Sequence, residues 1–177
     1  MVTRARDQAS GLLKALSDLG ADCLECPTIQ VVAPDDVGPL DRAIAELSAF
    51  DWVVFTSVNG VGWFFKRLFA SGKDVRAVGR LRTAAIGPAT AERLKRYGLS
   101  SDLVPETFRA EAMAAAFRRE PIRGKAILLP RAQEAREVLP EELAAMGAVV
   151  REVAAYKTEP ASADVRALVE RLEERSI

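Results

Sequence analysis

The chain has 177 residues, of which 49% are hydrophobic, enough for one good core or two small domains. Its 25 basic and 25 acidic residues balance, so neither a basic nucleic-acid-binding surface nor a disordered acidic tail is indicated. The sequence contains no histidine, which excludes a Ser-His-Asp triad and a histidine-based zinc site.

The two cysteines, Cys23 and Cys26, precede Pro27 in an apolar stretch. Their CxxC spacing could suggest a redox pair, but such a pair needs a helix start that lowers the pKa of a thiol. This stretch predicts a strand, so buried structural thiols are the favoured interpretation. The sequence has neither a run of about 18 apolar residues nor the apolar core of a signal peptide, so a soluble cytoplasmic protein is expected.

Short apolar runs alternate with amphipathic stretches along the chain. The predicted strands are Met1–Thr3, Cys23–Val32, Trp52–Thr56, Thr83–Ile86, Asp102–Val104, Ala126–Leu129 and Val149–Ala155. The predicted helices are Gln8–Leu19, Pro39–Ser48, Asn59–Phe69, Pro88–Tyr97, Ala110–Phe117, Glu134–Met146 and Ala163–Glu174. The alternation of helices with strands that are apolar throughout predicts an α/β fold with parallel sheets covered by helices.

An internal repeat organises the chain. Thr3–Ala5 aligns with Pro130–Ala132, and at the same offset Gly20 aligns with Gly147. Each copy, called repeat A, has a strand end, an Arg-Ala pair, an amphipathic helix, a Gly-Ala turn and another strand. A different segment, B, lies between the two copies.

The order A, B, A predicts that a second copy of segment B follows in the parent protein. The offset of the repeat places the last residue, Ile177, on Phe50, where segment B begins. We therefore expect a natural truncation or a fragment of a longer chain. Chance similarity between two common strand–helix units is the alternative.

Polar residues follow two of the predicted strands, at the position where open parallel sheets bind ligands. Ser57 and Asn59 follow the apolar run Val53–Phe55 and could hold an anion at a helix start, although both residue types are also ordinary N-caps. Gly87 and Thr90 follow the next strand. Glycine there allows a ligand close to the backbone, whereas the alternative is a tight turn with Thr90 on a helix surface.

Arginine follows one strand in each copy of the repeat. Arg131 and its equivalent Arg4, which Thr3 precedes, are placed to reach the ligand edge of a parallel sheet. The alternative is a surface ion pair with Glu134 or Asp7, which would contribute little stability.

Tyr156 ends the last predicted strand. A phenol can donate a proton or a hydrogen bond to a leaving hydroxyl group, and the alternative is a half-buried aromatic at a domain junction. The other tyrosine, Tyr97, is predicted to be structural. No pair of carboxylates stands out by spacing as an acid/base couple, and Asp35-Asp36 is predicted to be solvated.

The ordered set of these segments resembles the uroporphyrinogen-III synthase family. The matching motifs are Val2-Thr3-Arg4-Ala5-Arg6, Phe55-Thr56-Ser57-Val58-Asn59-Gly60-Val61, Ile86-Gly87-Pro88-Ala89-Thr90-Ala91, Leu129-Pro130-Arg131-Ala132 and Tyr156-Lys157-Thr158. The resemblance covers essentially the whole chain, and the ordered set is more specific than any single motif.

The resemblance implies two flavodoxin-like α/β domains joined by extended connectors near Val31–Pro34 and Lys157–Pro160. Residues 1–32 with 159–177 would form an incomplete first domain, and residues 33–158 a complete second domain.

The resemblance also implies a reaction. The family cyclises hydroxymethylbilane to uroporphyrinogen III with loss of water, through an azafulvene and a spiro intermediate that inverts one pyrrole ring. The pyrroles supply the electrons, so no cofactor and no metal are expected, and catalysis is mainly positional.

By the same resemblance, Tyr156 would assist departure of the hydroxyl group. Ser57 and Thr90 would contact the substrate from the second domain and Thr3 from the first, and helix-start amides with Arg131 would hold carboxylates. The further substrate-binding candidates are Arg4, Asn59 and Gly87.

A monomer that acts on a small-molecule substrate, with no nucleic-acid or membrane partner, is the expected form. In many bacteria the family's domain is fused to the uroporphyrinogen-III methyltransferase, so a fused or neighbouring methyltransferase is also expected. The alternative function is a non-catalytic, truncated tetrapyrrole-binding or interaction module. A receiver-like or sugar-binding domain is the least favoured alternative. A receiver needs acidic residues at the end of its first strand, where this sequence has Thr3-Arg4.

Overall fold

The computed structural model describes residues 1–161, 169 and 173, with the side chains of residues 6–8 excepted. The predicted helix Ala163–Glu174 falls largely outside the described residues.

The chain divides into two compact units. The first unit comprises Met1–Val32 and Thr158–Ile177, and the second unit comprises Ala33–Lys157. Each unit is described by itself below.

The first unit has less regular strand structure than the sequence predicts. Val2 forms an isolated parallel bridge with Glu25, and only Ile29–Val32 (β1) forms a strand in the predicted stretch Cys23–Val32. Pro27 explains the break, because proline has no N–H with which to continue a ladder of hydrogen bonds. The prediction of one continuous strand from Cys23 is therefore wrong.

Helix α1 (Arg6–Asp18) packs small residues against this bridge. Val2, Ala5 and Ala9 are buried, together with Cys26. Cys23 is only partly buried, so the prediction of a buried thiol is confirmed for one cysteine and wrong for the other. Both thiols are free.

The second unit alternates strands and helices. Its strands are β2 (Trp52–Phe55), β3 (Arg82–Ala85), β4 (Ala126–Ala132) and β5 (Val149–Pro160), the last of which continues into the first unit, where β1 is its neighbour. Its helices are α2 (Gly38–Ala45), α3 (Val58–Ala70), α4 (Pro88–Lys95), α5 (Ala110–Phe117) and α6 (Val138–Ala145), with 3-10 turns at Leu47–Ala49 and Val75–Ala77.

The strands form one five-stranded sheet in the order β1-β5-β4-β2-β3. The pairs β2–β3, β2–β4 and β4–β5 are parallel, so the predicted α/β class is confirmed. The predicted strand Asp102–Val104 is reduced to an isolated parallel bridge between Leu103 and Ala84.

Both faces of the interior strand β2 are buried, as its uniformly apolar sequence predicts. On one face Trp52 meets Phe117 of α5 edge-on, with ring centroids 5.0 Å apart. On the other face Phe55 meets Phe64 of α3, with ring centroids 5.4 Å apart. These two apolar layers hold the sheet rigidly beneath its polar edge.

The helices are short. Helices α1 and α3 have 13 residues each, and α6 begins at Val138 rather than at the predicted Glu134. A helix extended further back would place the ring of Pro140 against the carbonyl of Arg136, four residues earlier. Within the described part of the chain, no helix is both long and apolar enough to cross a membrane.

Asp51 links the amino ends of three strands. Its amide donates to the carbonyl of Ala126 at 2.8 Å, and its carbonyl accepts from the amide of Arg82 at 2.9 Å. Its carboxylate accepts from the Lys125 ammonium at 2.8 Å and from the Ala126 amide at 2.9 Å. These two hydrogen bonds, the Lys125 bond foremost, lower the pKa of Asp51 below its usual value.

Asp51→Ala is expected to lower the free energy of unfolding by about 1 kcal/mol at pH 7, because a partly exposed ion pair and one backbone hydrogen bond are lost. A lowered folded-state pKa stabilises the protein above the ordinary value of 3.8, and this contribution is lost as the pH falls below it. Urea unfolding from pH 7 to pH 3 should therefore show the difference from wild type shrinking below pH 3.8. Glu106→Ala, at an exposed carboxylate, is the matched control, and an equal loss in both variants would contradict the prediction.

Candidate functional site

The carboxyl ends of the parallel strands form the edge at which ligands bind in such sheets. In the second unit the chain passes from β2 to β3 on one side and then to β4 on the other side of β2. The connections therefore reverse direction between β2 and β4, and this topological switch point is where a crevice opens in open α/β sheets. The expected ligand site lies beyond the carboxyl ends of β2 and β4.

Ser57 begins helix α3 at this switch point. Its backbone is extended, with φ −162° and ψ 155°, and its hydroxyl accepts a hydrogen bond from the Gly60 amide at 2.9 Å. The capping interpretation of Ser57 is therefore confirmed. The same hydroxyl lies 3.0 Å from the hydroxyl of Tyr156, so Ser57 also has a partner outside its own helix.

Tyr156 reaches Ser57 from β5, across the intervening strand β4. A register shift lies at the end of the β4–β5 ladder, where Arg131 pairs with Ala154 but Ala132 pairs with Tyr156. The extra residue, Ala155, breaks the alternation of strand side chains, and such a bulge re-aims the side chain that follows it. Tyr156 is consequently 7% exposed, with its hydroxyl at the switch point.

Gly60 permits the close approach of α3 to β4. A Cβ atom at this position would lie 3.1 Å from the Pro130 carbonyl oxygen and 3.2 Å from the Ser57 hydroxyl oxygen. Both contacts are tighter than ordinary van der Waals contact. The absence of a side chain at Gly60 thus helps Ser57 to sit near enough to β4 for Tyr156 to reach it.

The loop after β3 lies beside Ser57 at the same edge. Phe55 pairs with Ala85, and the Ile86 amide donates to the Phe55 carbonyl at 2.9 Å, so Gly87 follows its strand at the same level as Ser57. Thr90, in the first turn of α4, is 3% exposed. It lies inside the helix packing rather than on the helix surface, and its contact with a substrate stays a prediction.

An aromatic ring covers Gly87. A Cβ atom added at Gly87 would lie 2.7 Å from the nearest ring carbon of Phe108, so the ring occupies the space that a side chain at this position would need. The sequence interpretation placed a ligand against this glycine, whereas the structure places Phe108 there. Nothing in the sequence near Phe108 distinguishes it from other apolar loop residues.

Arg131 is buried, with 6% of its surface exposed. Its guanidinium donates to the Glu152 carboxylate and to the Arg136 carbonyl oxygen. The alternative of a surface ion pair with Glu134 is wrong, because Arg131 is buried and the strand pairing brings β5 beside it. The role of Arg131 in holding a substrate carboxylate stays a prediction.

Lys157, directly after Tyr156, is held by residues that no pattern in the sequence groups together. Its ammonium pairs with Asp35, whose carboxylate also accepts from the Gln133 side-chain amide at 2.6 Å. The Lys157 bond, with Gln133 second, lowers the pKa of Asp35. Asp35 is exposed, as predicted for a solvated residue, but it is not unpartnered.

The remaining candidates are more scattered. Asn59 is partly exposed in the first turn of α3. Thr3 and Arg4 lie in the first unit and are exposed, and the Thr3 carbonyl accepts from the Thr28 amide at 3.2 Å. Within the second unit, the structure directly joins Ser57 and Tyr156.

The fold is that of solved uroporphyrinogen-III synthases. A mutant enzyme from Thermus thermophilus matches with a TM-score of 0.65 at 22% identity, covering 87% of this chain and 60% of that one. The Helicobacter pylori enzyme matches with a TM-score of 0.51 at 18% identity, covering 80% and 58%. The protein is thus an α/β protein of this fold class, with a polar strand edge.

Sequence comparison defines the family. The profile described as "Uroporphyrinogen-III synthase HemD" matches residues 10–177. The uroporphyrinogen-III synthase of Synechococcus elongatus is 35% identical over 159 residues, which cover 89% of this chain and 60% of the relative. That of Chlorobaculum parvum is 28% identical over 168 residues, which cover 92% and 64%. The chain belongs to the uroporphyrinogen-III synthase family, and it spans somewhat less than two thirds of these relatives.

Glu152→Gln is expected to lower the free energy of unfolding by about 1–3 kcal/mol, because it removes the hydrogen-bonded carboxylate of the buried Arg131 guanidinium and leaves only the exposed Glu137 carboxylate, 4.0 Å away. Urea unfolding at pH 7 measures the change. Glu134→Gln is the matched control and should stay within about 0.5 kcal/mol of wild type. If the two variants lose the same stability, the assignment of Glu152 as the partner is wrong.

Proposed function

We propose that this chain acts in the conversion of hydroxymethylbilane to uroporphyrinogen III, with inversion of one pyrrole ring and loss of water. The observation that carries the proposal is the 3.0 Å contact between the Ser57 and Tyr156 hydroxyls at the switch point, in a chain of the uroporphyrinogen-III synthase family. The reaction begins when the terminal hydroxyl leaves. A positioned hydroxyl donor is the group that this step requires.

The hydrogen bonds around Ser57 allow a direction of proton donation that suits the reaction. The Ser57 oxygen already accepts from the Gly60 amide at 2.9 Å, which leaves its own proton free to point at the Tyr156 oxygen. In that arrangement the Tyr156 proton is free to point at the departing hydroxyl of the substrate. Tyr156 would act as the proton or hydrogen-bond donor, and Ser57 as the group that orients it.

The remaining requirement is to hold a flexible, many-carboxylate chain in a folded shape, which is positional catalysis. Helices α3 and α4 both begin at the carboxyl edge of the sheet, and their first turns favour negative charge. Carboxylates of the substrate would bind at these helix starts, near Asn59 and Gly87. The contributions of Thr3, Arg4, Thr90 and Arg131 remain predictions.

We further propose that the second unit is a flavodoxin-like domain. Counted in chain order, its four strands lie in the order 2-1-3-4, which is the beginning of the flavodoxin-like order 2-1-3-4-5. Action as a monomer, a cytoplasmic setting and a fusion to the methyltransferase also remain predictions.

The chain is expected to yield type III uroporphyrinogen above the spontaneous background. The substrate can be generated in a coupled assay, and the type I and type III isomers separated after oxidation. Unaided closure gives type I, so the type III fraction reports catalysis. Type I alone at the spontaneous rate would overturn the proposal in favour of a non-catalytic tetrapyrrole-binding module.

Tyr156→Phe is expected to lower kcat for type III formation roughly 10- to 100-fold with little change in KM, because only the hydroxyl donor is removed. Ser57→Ala should lower kcat less, and the double variant should be no worse than Tyr156→Phe, since the two residues act as a unit.

Tyr97→Phe is the matched control, because the Tyr97 hydroxyl contacts Arg93 at 3.4 Å, away from the switch point. Circular dichroism and thermal unfolding check that each variant folds. A Tyr156→Phe variant that turns over like wild type would remove the donor role while leaving the proposed reaction intact.

A further inference from the structure

Phe108 stands at the same carboxyl edge as the candidate site. Leu103 bridges Ala84 in parallel, so the loop that follows Leu103 leaves the sheet on the side where Ser57 and Gly87 lie. Phe108 is in this loop, two residues before α5 begins at Ala110. Phe108 is 62% exposed even though part of its ring lies beside Gly87.

The setting of Phe108 differs from that of the other strongly exposed phenylalanine among the described residues. Phe69, 46% exposed, packs against the rings of Phe65 and Tyr97, with centroid distances of 5.9 and 6.0 Å. Phe108 rests instead on the backbone of Gly87, the N-cap of α4. Part of the Phe108 side chain is therefore covered by the helix start, while the rest of it is largely exposed.

An aromatic ring beside a helix start is complementary to a pyrrole that carries carboxylate side chains. The open side of the ring can pack against a flat π system, which gains stability beyond the apolar area buried. The first turn of α4 favours an anion a few ångströms away. A purely aliphatic ligand would use the ring but not the helix start.

We propose that Phe108 contacts the substrate by packing against one pyrrole ring of the tetrapyrrole. The backbone of Gly87 supports the Phe108 ring in that position. This inference rests on the proposed function, because the tetrapyrrole is the ligand that the family relationship supplies. It assigns Gly87 a role different from direct ligand contact. Gly87 keeps the space open for the ring.

The test compares Phe108→Ala, Gly87→Ala and the double variant. Each is measured for KM and kcat in type III formation and for Kd of uroporphyrinogen III by anaerobic calorimetry. Phe108→Ala is expected to raise KM and Kd roughly 3- to 10-fold with kcat within about twofold. Gly87→Ala should weaken binding because a Cβ atom would displace the ring. The double variant should bind no more weakly than Phe108→Ala, since the two changes remove the same contact.

Val149→Ala is the matched control, because Val149 is equally exposed at 64% but begins β5 at the opposite edge of the sheet. It should leave KM and Kd unchanged. Thermal unfolding verifies the fold of every variant, and Phe108→Leu supplies a second substitution that keeps an apolar side chain but removes the ring.

The outcomes separate this inference from the proposed reaction. If wild type forms type III and both Phe108 variants bind like wild type, the role of Phe108 is overturned and the reaction stands. If wild type forms only type I, the proposed reaction fails for this chain, and the role of Phe108 is judged from the binding of uroporphyrinogen III alone. Weaker binding by Phe108→Ala than by wild type then supports the contact. Unchanged binding, or no binding by wild type, overturns it.

Discussion

The hydrogen bond between Ser57 and Tyr156 depends on the strand order of the second unit. The two residues follow or end strands that are not neighbours, because β4 lies between β2 and β5. The bulge at Ala155 re-aims Tyr156, and the missing side chain at Gly60 lets α3 approach β4. Each adjustment alone is a small irregularity in an otherwise regular sheet. Together they bring two hydroxyls to 3.0 Å at the point where the strand connections reverse.

The rigidity of this edge comes from layers that take no part in the chemistry. Apolar side chains bury both faces of β2, and Asp51 links its amino end to β3 and β4. At the other end, Asp35 binds both Gln133 and Lys157, which fixes the chain directly after Tyr156. A site that works by positioning needs such support, since small displacements are costly when geometry supplies most of the rate.

The sequence predicted the elements well where periodicity and apolar runs dominate. The fully apolar run that became β2 and the helix Ala110–Phe117 were found where the pattern placed them, because local residues determine both. Two of the errors arose from proline. Pro27 interrupts a strand that hydropathy alone would continue, and Pro140 delays the start of α6.

Pairings across the sheet were harder to predict, since they depend on which strands become neighbours. The alternative interpretation paired Arg131 with Glu134, close in sequence, whereas the structure pairs it with Glu152 on the adjoining strand. Asp35 was expected to be solvated, and its cluster forms only when the connection before α2 meets Gln133, which follows β4, and Lys157 of β5. No local signal in the sequence encodes these contacts.

The polar residues at the strand ends have structural roles that accompany the proposed chemical ones. Ser57 caps α3 by accepting from the Gly60 amide, and the same hydroxyl also hydrogen-bonds to Tyr156. Gly87 begins α4 while leaving room for the Phe108 ring. A motif made of ordinary capping residues therefore carries little information when read alone. The motif becomes informative once the sheet order is known. That order places both helix starts at one edge, where the bulge in β5 also directs the Tyr156 hydroxyl.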